Sequence, residues 1–412
     1  MIVLAMAGQA GAQEDERLWF DRAIAAQFDY GPAYHAILNA YLPRWGGSHE
    51  QMIAFGRACR ATKRYDTEVP TYFATAVRDV MNEIDSPREW LRGQADILRD
   101  LMADDEARIA ATTRKSAIDQ WRSMLVIHAW LAEQYDVASR NLAQLPDGLQ
   151  HIGNFVRSLN TSGPEVTSRA LVHGTPAEKS YVEGESAFKA YDLARASAAY
   201  SAAAKSAPAG AQPWIAGRLD AIAFERAYAG GDWVKLTPKK GIAWRDMEGL
   251  WKFESDGTLI NTGNGANALC AFRGRVGADF EIRGEFSIES PGSRSMNFGV
   301  VVGIRDSDQQ NWYQCSTWGG KAGVVDGTLF RLNYGTNAPT VKVTLQPSNH
   351  FLVRVKGGRL TYQINDQTIL EDYEVEGGHL QEKDNQFGFA STRSGGDNIT
   401  RIQNLETRRL AK

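Results

Sequence analysis

The residues best suited to ligand chemistry lie in the second half of the chain, on predicted β-strands. Trp312 and Trp318 alternate with Gln314 in one strand, so their side chains are expected on one face. Aromatic rings stack on sugar rings, while amide and guanidinium groups give directed hydrogen bonds. The sequence therefore predicts a ligand-binding surface formed by Asn297, Arg305, Trp312, Gln314, Trp318, Arg331 and Asn333. The alternative is that both tryptophans pack in the core or at its rim.

The strand before these tryptophans has two unlike faces. Its alternating apolar residues are expected in the core: Phe298, Val300, Val302 and Ile304. Gly299 and Gly303 fall on the other face, where missing side chains leave room for a ligand.

Three acidic residues are candidates for glycoside hydrolysis, which in a retaining enzyme needs two carboxyl groups about 5 Å apart, one of them protonated. Asp279, Glu281 and Glu285 lie on one predicted strand, and Glu281 shares a face with Glu285. A structural role is the favoured interpretation, and no catalytic residue is predicted.

Metal and cofactor sites are not indicated. Asp306, Asp308 and Gln310 alternate as in a calcium loop, but a tight hairpin gives the same pattern. The seven histidines lack zinc-site spacing, and His128, on an apolar helix face, is expected to be a core residue. No nucleotide-binding motif stands between a strand and a helix.

Composition favours a soluble globular protein, with 43% apolar and 23% charged residues among 412. The formal net charge is −3, and neither half is basic, which argues against nucleic acid as a partner. Three cysteines exclude a disulfide-dense scaffold and leave at most one bridge, between Cys270 and Cys315.

The first twelve residues, 1–12, read MIVLAMAGQAGA, a short apolar run that ends in an A-x-A pattern. This pattern favours the remnant of a secretory signal and a periplasmic or secreted protein. If the run is not a signal, the protein is cytoplasmic. The run is too short for a transmembrane segment, and no later segment is long enough either.

Helix-start signals recur through the first half, where a capping residue precedes Pro and Glu at Ser86 and at Thr175. About ten helices are expected between Glu16 and Ala229. The spacing Gly184-x11-Ala196-x3-Tyr200-x2-Ala203-x4-Pro208 resembles the tetratricopeptide repeat, in which Tyr200 and Ala203 would be buried between helices.

The segment 42–48, Leu-Pro-Arg-Trp-Gly-Gly-Ser, resembles a helical bacterial family of unknown function, and the resemblance extends over about residues 20–170. A structural role is expected for the motif: Pro43 stops a helix, Trp45 plugs the junction and Ser48 caps the next helix. The functional alternative is a peptide-binding groove lined by Arg44, Trp45 and His49.

From Trp244 onward the apolar period is two, and twelve or thirteen strands are expected without helical interruption. This predicts an all-β jelly-roll sandwich at 243–412 after a helical-repeat domain at 13–235, joined by a linker at 236–242. The fold class is thus a multi-domain α + β chain.

The second half resembles the concanavalin A-like lectin/glucanase superfamily, including laminin-G-like members and 3-keto-disaccharide hydrolases. The segments that carry this resemblance are 280–286, 298–305, 311–313, 359–365, 387–390 and 402–405. The glucanases of this superfamily carry E-x-D-x-x-E, whereas this chain has D-x-E-x-x-x-E at 279–285, a departure that argues against hydrolysis.

Together these features predict a non-enzymatic binding or scaffold protein of the bacterial cell envelope. Its helices would engage a protein or peptide, and its sandwich a glycan or another partner. One alternative is a carbohydrate-active hydrolase or lyase with its site on the concave face of the sandwich. Another is a chain in which both halves serve structure or assembly only.

Overall fold

The computed structural model describes residues 16–84, 86–150, 152, 155–156, 159, 161–238, 244–246, 251–261, 268–272, 274–289, 296–304, 312–318, 321–328, 331–333, 340–374, 380, 385–391 and 399–410. For several strand residues among them only the backbone is described, including 296–297, 312, 318 and 331–333. The chain forms two compact units that divide between His173 and Gly174.

Twelve α-helices are described, nine in the first unit and three at the start of the second. The helices of the first unit are α1 Glu16–Ala26, α2 Gly31–Ala40, α3 His49–Ala61, α4 Tyr72–Met81, α5 Pro87–Arg92, α6 Ala95–Ala111, α7 Lys115–Leu131, α8 Tyr135–Leu142 and α9 Gly163–Val172. Those of the second unit are α10 Glu178–Lys189, α11 Leu193–Ala204 and α12 Gln212–Tyr228. The number exceeds the expected ten because a short helix such as α5, with 6 residues, has too few apolar positions to show a period.

The turn between α2 and α3 follows from its sequence. Ser48 Oγ accepts a hydrogen bond from the backbone N of Gln51 at 3.2 Å, so the predicted N-cap is confirmed. Gly46 has a φ of 94°, and a Cβ at Gly47 would lie 2.2 Å from the carbonyl oxygen of Tyr41, so both glycines are required. Trp45 is 60% exposed, and the prediction that it plugs the junction is therefore wrong.

Helices α10 and α11 pack closely through one small residue. A Cβ at Gly184 would lie 2.8 Å from Cδ1 of Tyr200, so only glycine lets the tyrosine ring approach α10. Tyr200 and Ala203 are fully buried, which confirms their predicted place between helices. That these helices form a tetratricopeptide repeat stays a prediction.

The second half is an antiparallel β-sandwich, as the sequence predicts. The first sheet has the order β14-β13-β12-β6-β16-β4-β3, with β1 also paired to β16, and the second has the order β10-β9-β8-β7-β15-β5-β2, with β11 paired to β9. The strands are β1 Val234–Lys235, β2 Trp244–Asp246, β3 Trp251–Phe253, β4 Leu259–Asn261, β5 Ala268–Phe272, β6 Phe280–Glu289, β7 Met296–Ile304, β8 Trp312–Trp318, β9 Lys321–Thr328, β10 Arg331–Asn333, β11 Val341–Lys342, β12 Asn349–Lys356, β13 Arg359–Ile364, β14 Gln367–Glu374, β15 Gln386–Ser391 and β16 Ile399–Arg409. The strands in excess of the expected twelve or thirteen are short, with two or three residues each.

Aromatic rings fill the space between the two sheets. Phe286 of the first sheet stacks on Phe298 of the second, with ring centroids 4.1 Å apart. The three cysteines have buried thiols, and the bridge left open between Cys270 and Cys315 is not formed between these two described residues. Burial raises the pKa of the Cys59 thiol to about 12.

One bulge changes the faces of β7. Gly303 has a φ of 82°, and the pairing with β15 shifts there, so that Ile304 is opposite Gln386 while Val302 is opposite Phe387. An extra residue in one strand reverses the alternation of its side chains. Ile304 therefore packs with Val301 on the outward face of the second sheet, and the prediction that it points into the core between the sheets is wrong.

The last three helices belong to the same compact unit as the sandwich. Phe224 of α12 packs edge to face on Phe272, with centroids 4.8 Å apart, and Tyr228 Oη donates to the carbonyl oxygen of Val276 at 3.0 Å. The observed division thus differs from the predicted linker at 236–242, because α12 buries aromatic surface against the sandwich. In the described residues, every helix falls short of the length and apolar content that a bilayer span needs.

Candidate functional site

The outward face of the second sheet is where the sequence predicts a ligand. Gln314 is fully buried there, and a Cβ at Gly299 would lie 2.2 Å from Gln314 Nε2. The space that Gly299 leaves is therefore filled by Gln314, which corrects the prediction that it is open for a ligand. Around them lies a buried apolar cluster of small and aliphatic residues: Leu269, Ala271, Val301, Ile304 and Ala390.

Strand register separates two groups of the predicted site residues. Across β8, β9 and β10, one row of opposed residues is Trp312, Gly327 and Leu332. The next row is Tyr313, Asp326 and Asn333. Residues directly opposite one another share a face of the sheet. Arg331 and Asn333 thus occupy register positions of the core-facing Tyr313 row and not of the Trp312, Gln314 and Trp318 row, which corrects their predicted grouping.

For the other predicted site residues on this sheet, the structure describes at most the backbone. Asn297 lies in β7, Trp312 and Trp318 lie in β8, and Arg331 and Asn333 lie in β10. Only the backbones of these residues are described. Arg305 and the calcium-like segment 306–310 lie outside the described residues. A ligand-binding role for these residues stays a prediction.

The acids considered for hydrolysis lie on the first sheet, and each has a structural partner. Glu281 is 1% exposed and accepts hydrogen bonds from Arg354 Nε at 2.5 Å and Arg408 Nε at 2.6 Å. Asp279 Oδ1 accepts from the backbone N of Gly357 at 2.7 Å, and Glu285 Oε2 accepts from Gln403 Nε2 at 3.1 Å. Both carboxylate oxygens of Glu281 are thus engaged by guanidinium groups, which is the arrangement of a structural ion pair.

A concavity of about 540 Å³, here called the first-sheet cavity, opens on the outward face of the first sheet. It is formed by side chains from β1, β6, β12, β13 and β16 and by the β13–β14 turn. Its polar lining comprises Lys235, Arg283, Glu285, His350, Gln363, Asn365, Asp366, Asn404 and Glu406, with Leu352 as an apolar element.

A bulge in β16 shapes this cavity. Asn404 has a φ of 52°, and the pairing of β16 with β6 shifts between Gln403 and Glu406. The shift places Glu406 opposite Arg283, whose Nη2 lies 2.6 Å from Glu406 Oε2. The Trp233 ring lies 3.9 Å from the Arg283 guanidinium, which fixes the arginine from its other side.

The β13–β14 turn is rigid. Asn365 and Asp366 have φ values of 49° and 62°, the left-handed pair that a tight hairpin requires. Asn365 Oδ1 accepts from the backbone N of His350 at 2.9 Å, and its Nδ2 donates to Asn349 Oδ1 at 2.9 Å. The wall of the cavity at this turn is thus fixed by hydrogen bonds.

Several polar groups of the cavity keep hydrogen-bonding capacity. Within the described part of the chain, the side chains of Lys235 and His350 have no hydrogen-bond or ion-pair partner. Gln363 Nε2 makes a long hydrogen bond of 3.4 Å to Thr368 Oγ1. The sequence analysis missed these three residues, because they come together only when five strands pair and no local spacing in the sequence relates them.

The structure describes all three residues of the peptide groove predicted in the helical unit. Arg44 Nη1 lies 3.1 Å from Glu83 Oε1, Trp45 is exposed, and His49 begins α3. The groove itself stays a prediction. His128 is confirmed as a core residue: its Nδ1 lies 2.7 Å from Oδ2 of buried Asp105, whose pKa is raised by burial.

In the described ranges, no group of three or more His, Cys, Asp or Glu side chains is placed to hold a metal ion.

Comparison with known families gives a match in the second half of the chain. Residues 232–401 match the family model of the 3-keto-alpha-glucoside-1,2-lyase-like domain. The resemblance to 3-keto-disaccharide hydrolases is therefore confirmed for this part of the chain. The resemblance of the first half to a helical bacterial family stays a prediction, and no curated protein matches the chain.

Solved structures similar to the sandwich include a carbohydrate-binding module, CBM66, from Bacillus subtilis, at 14% identity over 40% of this chain and 95% of that one, with a TM-score of 0.31. A putative glycosyl hydrolase from Parabacteroides distasonis is 17% identical over 43% of this chain and 100% of its own, with a TM-score of 0.32. The GH43 protein BlXynB from Bacillus licheniformis is 12% identical over 42% of this chain and 38% of its own, with a TM-score of 0.32.

Proposed function

We propose that this protein binds carbohydrate in the first-sheet cavity and does not hydrolyse it. The observation that carries the proposal is the convergence of amide, imidazole, ammonium and carboxylate groups on one open concavity of the sandwich. The match of residues 232–401 to a glucoside lyase-like family supports a glucoside as the ligand class.

The chemistry of the lining suits a neutral sugar. Each sugar hydroxyl both donates and accepts a hydrogen bond, so a site with Gln363, Lys235 and Glu285 can serve several hydroxyls at once. Leu352 offers an apolar surface to the C–H face of a ring. Because these side chains stand on paired strands, their spacing is held before the ligand arrives.

Binding without hydrolysis is favoured by the state of the acids. Glu281 accepts hydrogen bonds from Arg354 and Arg408, and Glu285 accepts one from Gln403. Hydrolysis by a retaining mechanism would need a protonated carboxyl opposite an ionised one. The alternative, a carbohydrate-active hydrolase or lyase with its site on the concave face of the sandwich, rests on the family name and on the predicted role of Trp312 and Trp318.

The remaining parts of the proposal concern setting and partners. We place the protein in the periplasm or outside the cell, on the strength of the apolar run at residues 1–12, which lies outside the described residues. The helical unit would engage a protein or peptide near exposed Trp45, so that the chain links that partner to a glycan.

A glycan array that includes glucosides and glucans, probed with the full chain, tests the proposal. Ligands would then be titrated by calorimetry against Gln363→Ala and Lys235→Ala. Each loses about one hydrogen bond, worth about 0.5–1.5 kcal/mol, so affinity should fall roughly 2- to 10-fold. Gln367→Ala and Lys252→Ala, exposed residues outside the cavity lining, are the matched controls.

The same titrations with Trp312→Ala and Trp318→Ala separate the two faces of the sandwich. Unchanged affinity in these variants, together with no product release from the bound glycan over hours, supports the proposal. Loss of binding in the tryptophan variants alone, or turnover of the glycan, would overturn it in favour of the enzyme alternative.

A further inference from the structure

A second concavity, of about 530 Å³, lies within the unit that starts at Gly174, where its helices meet the sandwich. We call it the helix–sandwich cavity. Its walls come from the end of α12, the α10–α11 turn, the segment before β6 and the end of β16. Apolar groups such as Leu193, Val276, Ala278 and Leu410 make up much of the wall.

Glu225 of α12 lines this cavity with an unsatisfied oxygen. The residue is 7% exposed, and its Oε1 is buried with no hydrogen-bond partner. A buried polar atom without a partner costs free energy, so its presence beside a cavity points to a group that fills the cavity and bonds to it. Burial raises the pKa of Glu225, against the opposing effect of Arg275 and Arg218.

Two cations line the cavity, and neither forms a salt bridge with another described residue. The guanidinium of Arg275 lies 4.0 Å from the ring centroid of Tyr191 and donates from Nη1 to the carbonyl oxygen of Phe188 at 3.5 Å. Arg409, at the end of β16, is exposed and forms no ion pair in the described part of the chain. An anion in the cavity would be attracted by both.

We propose that the helix–sandwich cavity binds a small organic carboxylate, with its charged end between Arg275 and Arg409 and within reach of the carboxyl group of Glu225. The apolar body of the ligand lies against Tyr191, Leu193 and Val276. Tyr191 lines the cavity and is 48% exposed, so its ring is accessible to a ligand from solvent. This site is separate from the first-sheet cavity and independent of the proposed function.

Protonation of Glu225 sets the pH response of the site. The charged and titratable groups that face it are Arg218 and Tyr228 on α12, Arg275 and Asp279 before β6, Tyr191 in the α10–α11 turn, and Arg409 on β16. Once Glu225 ionises, it loses the proton that it donates and repels the ligand anion. Carboxylate affinity should therefore fall as the pH rises through the range in which Glu225 ionises.

Phenylacetate and octanoate, with phenylacetamide as the uncharged control, probe the site in the full chain by calorimetry and thermal shift. We expect at least one carboxylate to bind and the amide to bind at least 10-fold more weakly. Arg409→Gln, an exposed substitution that leaves the fold intact, should weaken carboxylate binding at least 5-fold. Glu225→Gln keeps a neutral donor at every pH, so it should keep the affinity and remove the fall in affinity with rising pH.

Binding of neither carboxylate, equal binding of the acid and its amide, or an unchanged affinity in Arg409→Gln would each overturn the proposal. An identical pH profile in Glu225→Gln and the parent chain would do so as well. Since Glu225 and Arg409 lie outside the first-sheet cavity, glycan affinity measured on the same variants should stay unchanged.

Discussion

The side chain of Gln314 lies over the α-carbon of Gly299, close enough that a methyl group there would be 2.2 Å from its Nε2 and 2.7 Å from its Cγ. Because Gln314 is fully buried, its amide cannot move out into solvent to relieve this contact. Gly299→Ala should therefore destabilise the sandwich by about 1–3 kcal/mol through overpacking. Urea unfolding of the single variants and of Gly299→Ala/Gln314→Ala measures this. A double variant no more stable than Gly299→Ala alone would contradict the contact.

Glu281 should prove structural. Removing one partner of a buried ion pair typically costs 3–5 kcal/mol, but Arg354 and Arg408 are 45% and 37% exposed and can return to water, so we expect about 1–3 kcal/mol for Glu281→Gln. Glu285→Gln, in the same strand, is the control and should change stability by less than about 0.5 kcal/mol. Chemical denaturation checks both. Equal stability of the two variants would remove the structural role assigned to Glu281.

The free energy of unfolding of the parent chain, compared with that of Glu225→Gln, should fall as the pH rises from acidic to neutral. The folded-state pKa of Glu225 is raised by burial, so the folded state holds this proton more tightly than the unfolded chain does. The stability it contributes is present below the unfolded value of about 4.3 and is lost as the pH rises through the folded value. Denaturation of both proteins from pH 4 to pH 8, without ligand, should show Glu225→Gln gaining relative stability as the pH rises. A constant difference would refute this.

The helical hairpin of α10 and α11 offers a matched pair of substitutions. Ala203 is fully buried and Ala202 is exposed, one residue apart in α11. Ala203→Arg buries a charge in a filled interface and should cost more than about 3 kcal/mol, whereas Ala202→Arg should be nearly neutral. Melting temperatures of the two variants decide it. Similar melting temperatures would mean that this face of α11 does not pack as described.

Fragment design should follow the compact units. A fragment that begins at Gly174 keeps the contact of Phe224 with Phe272 and the hydrogen bond of Tyr228 to Val276, whereas one that begins at Trp244 loses both. We expect the longer fragment to unfold cooperatively at a higher temperature. Calorimetry of the two fragments tests this, and equal melting temperatures would show that α12 adds nothing to the sandwich.

The fold class followed from the sequence because period-two and helical patterns are local and strong. The face on which each strand residue lies was harder to predict. The bulge at Gly303 moves the side chain of Ile304 to the opposite face, and the register across β8, β9 and β10 places Trp312 and Asn333 on different faces. A bulge adds one residue without an obvious mark in the pattern. The first-sheet cavity could not be foreseen for the same reason, as the pairing of β16 on β6 depends on the bulge at Asn404.

The place of β16 also determines when the protein can fold. This last strand, Ile399–Arg409, lies between β6 and β4 in the interior of the first sheet and also pairs with β1. A sheet whose central strand is made last cannot close while the chain is still being synthesised, so β6 and β4 wait with open edges. Contacts that distant in sequence also make folding slow. Until β16 is in place, we expect the open edges of β6 and β4 to be where newly made chains can pair with one another.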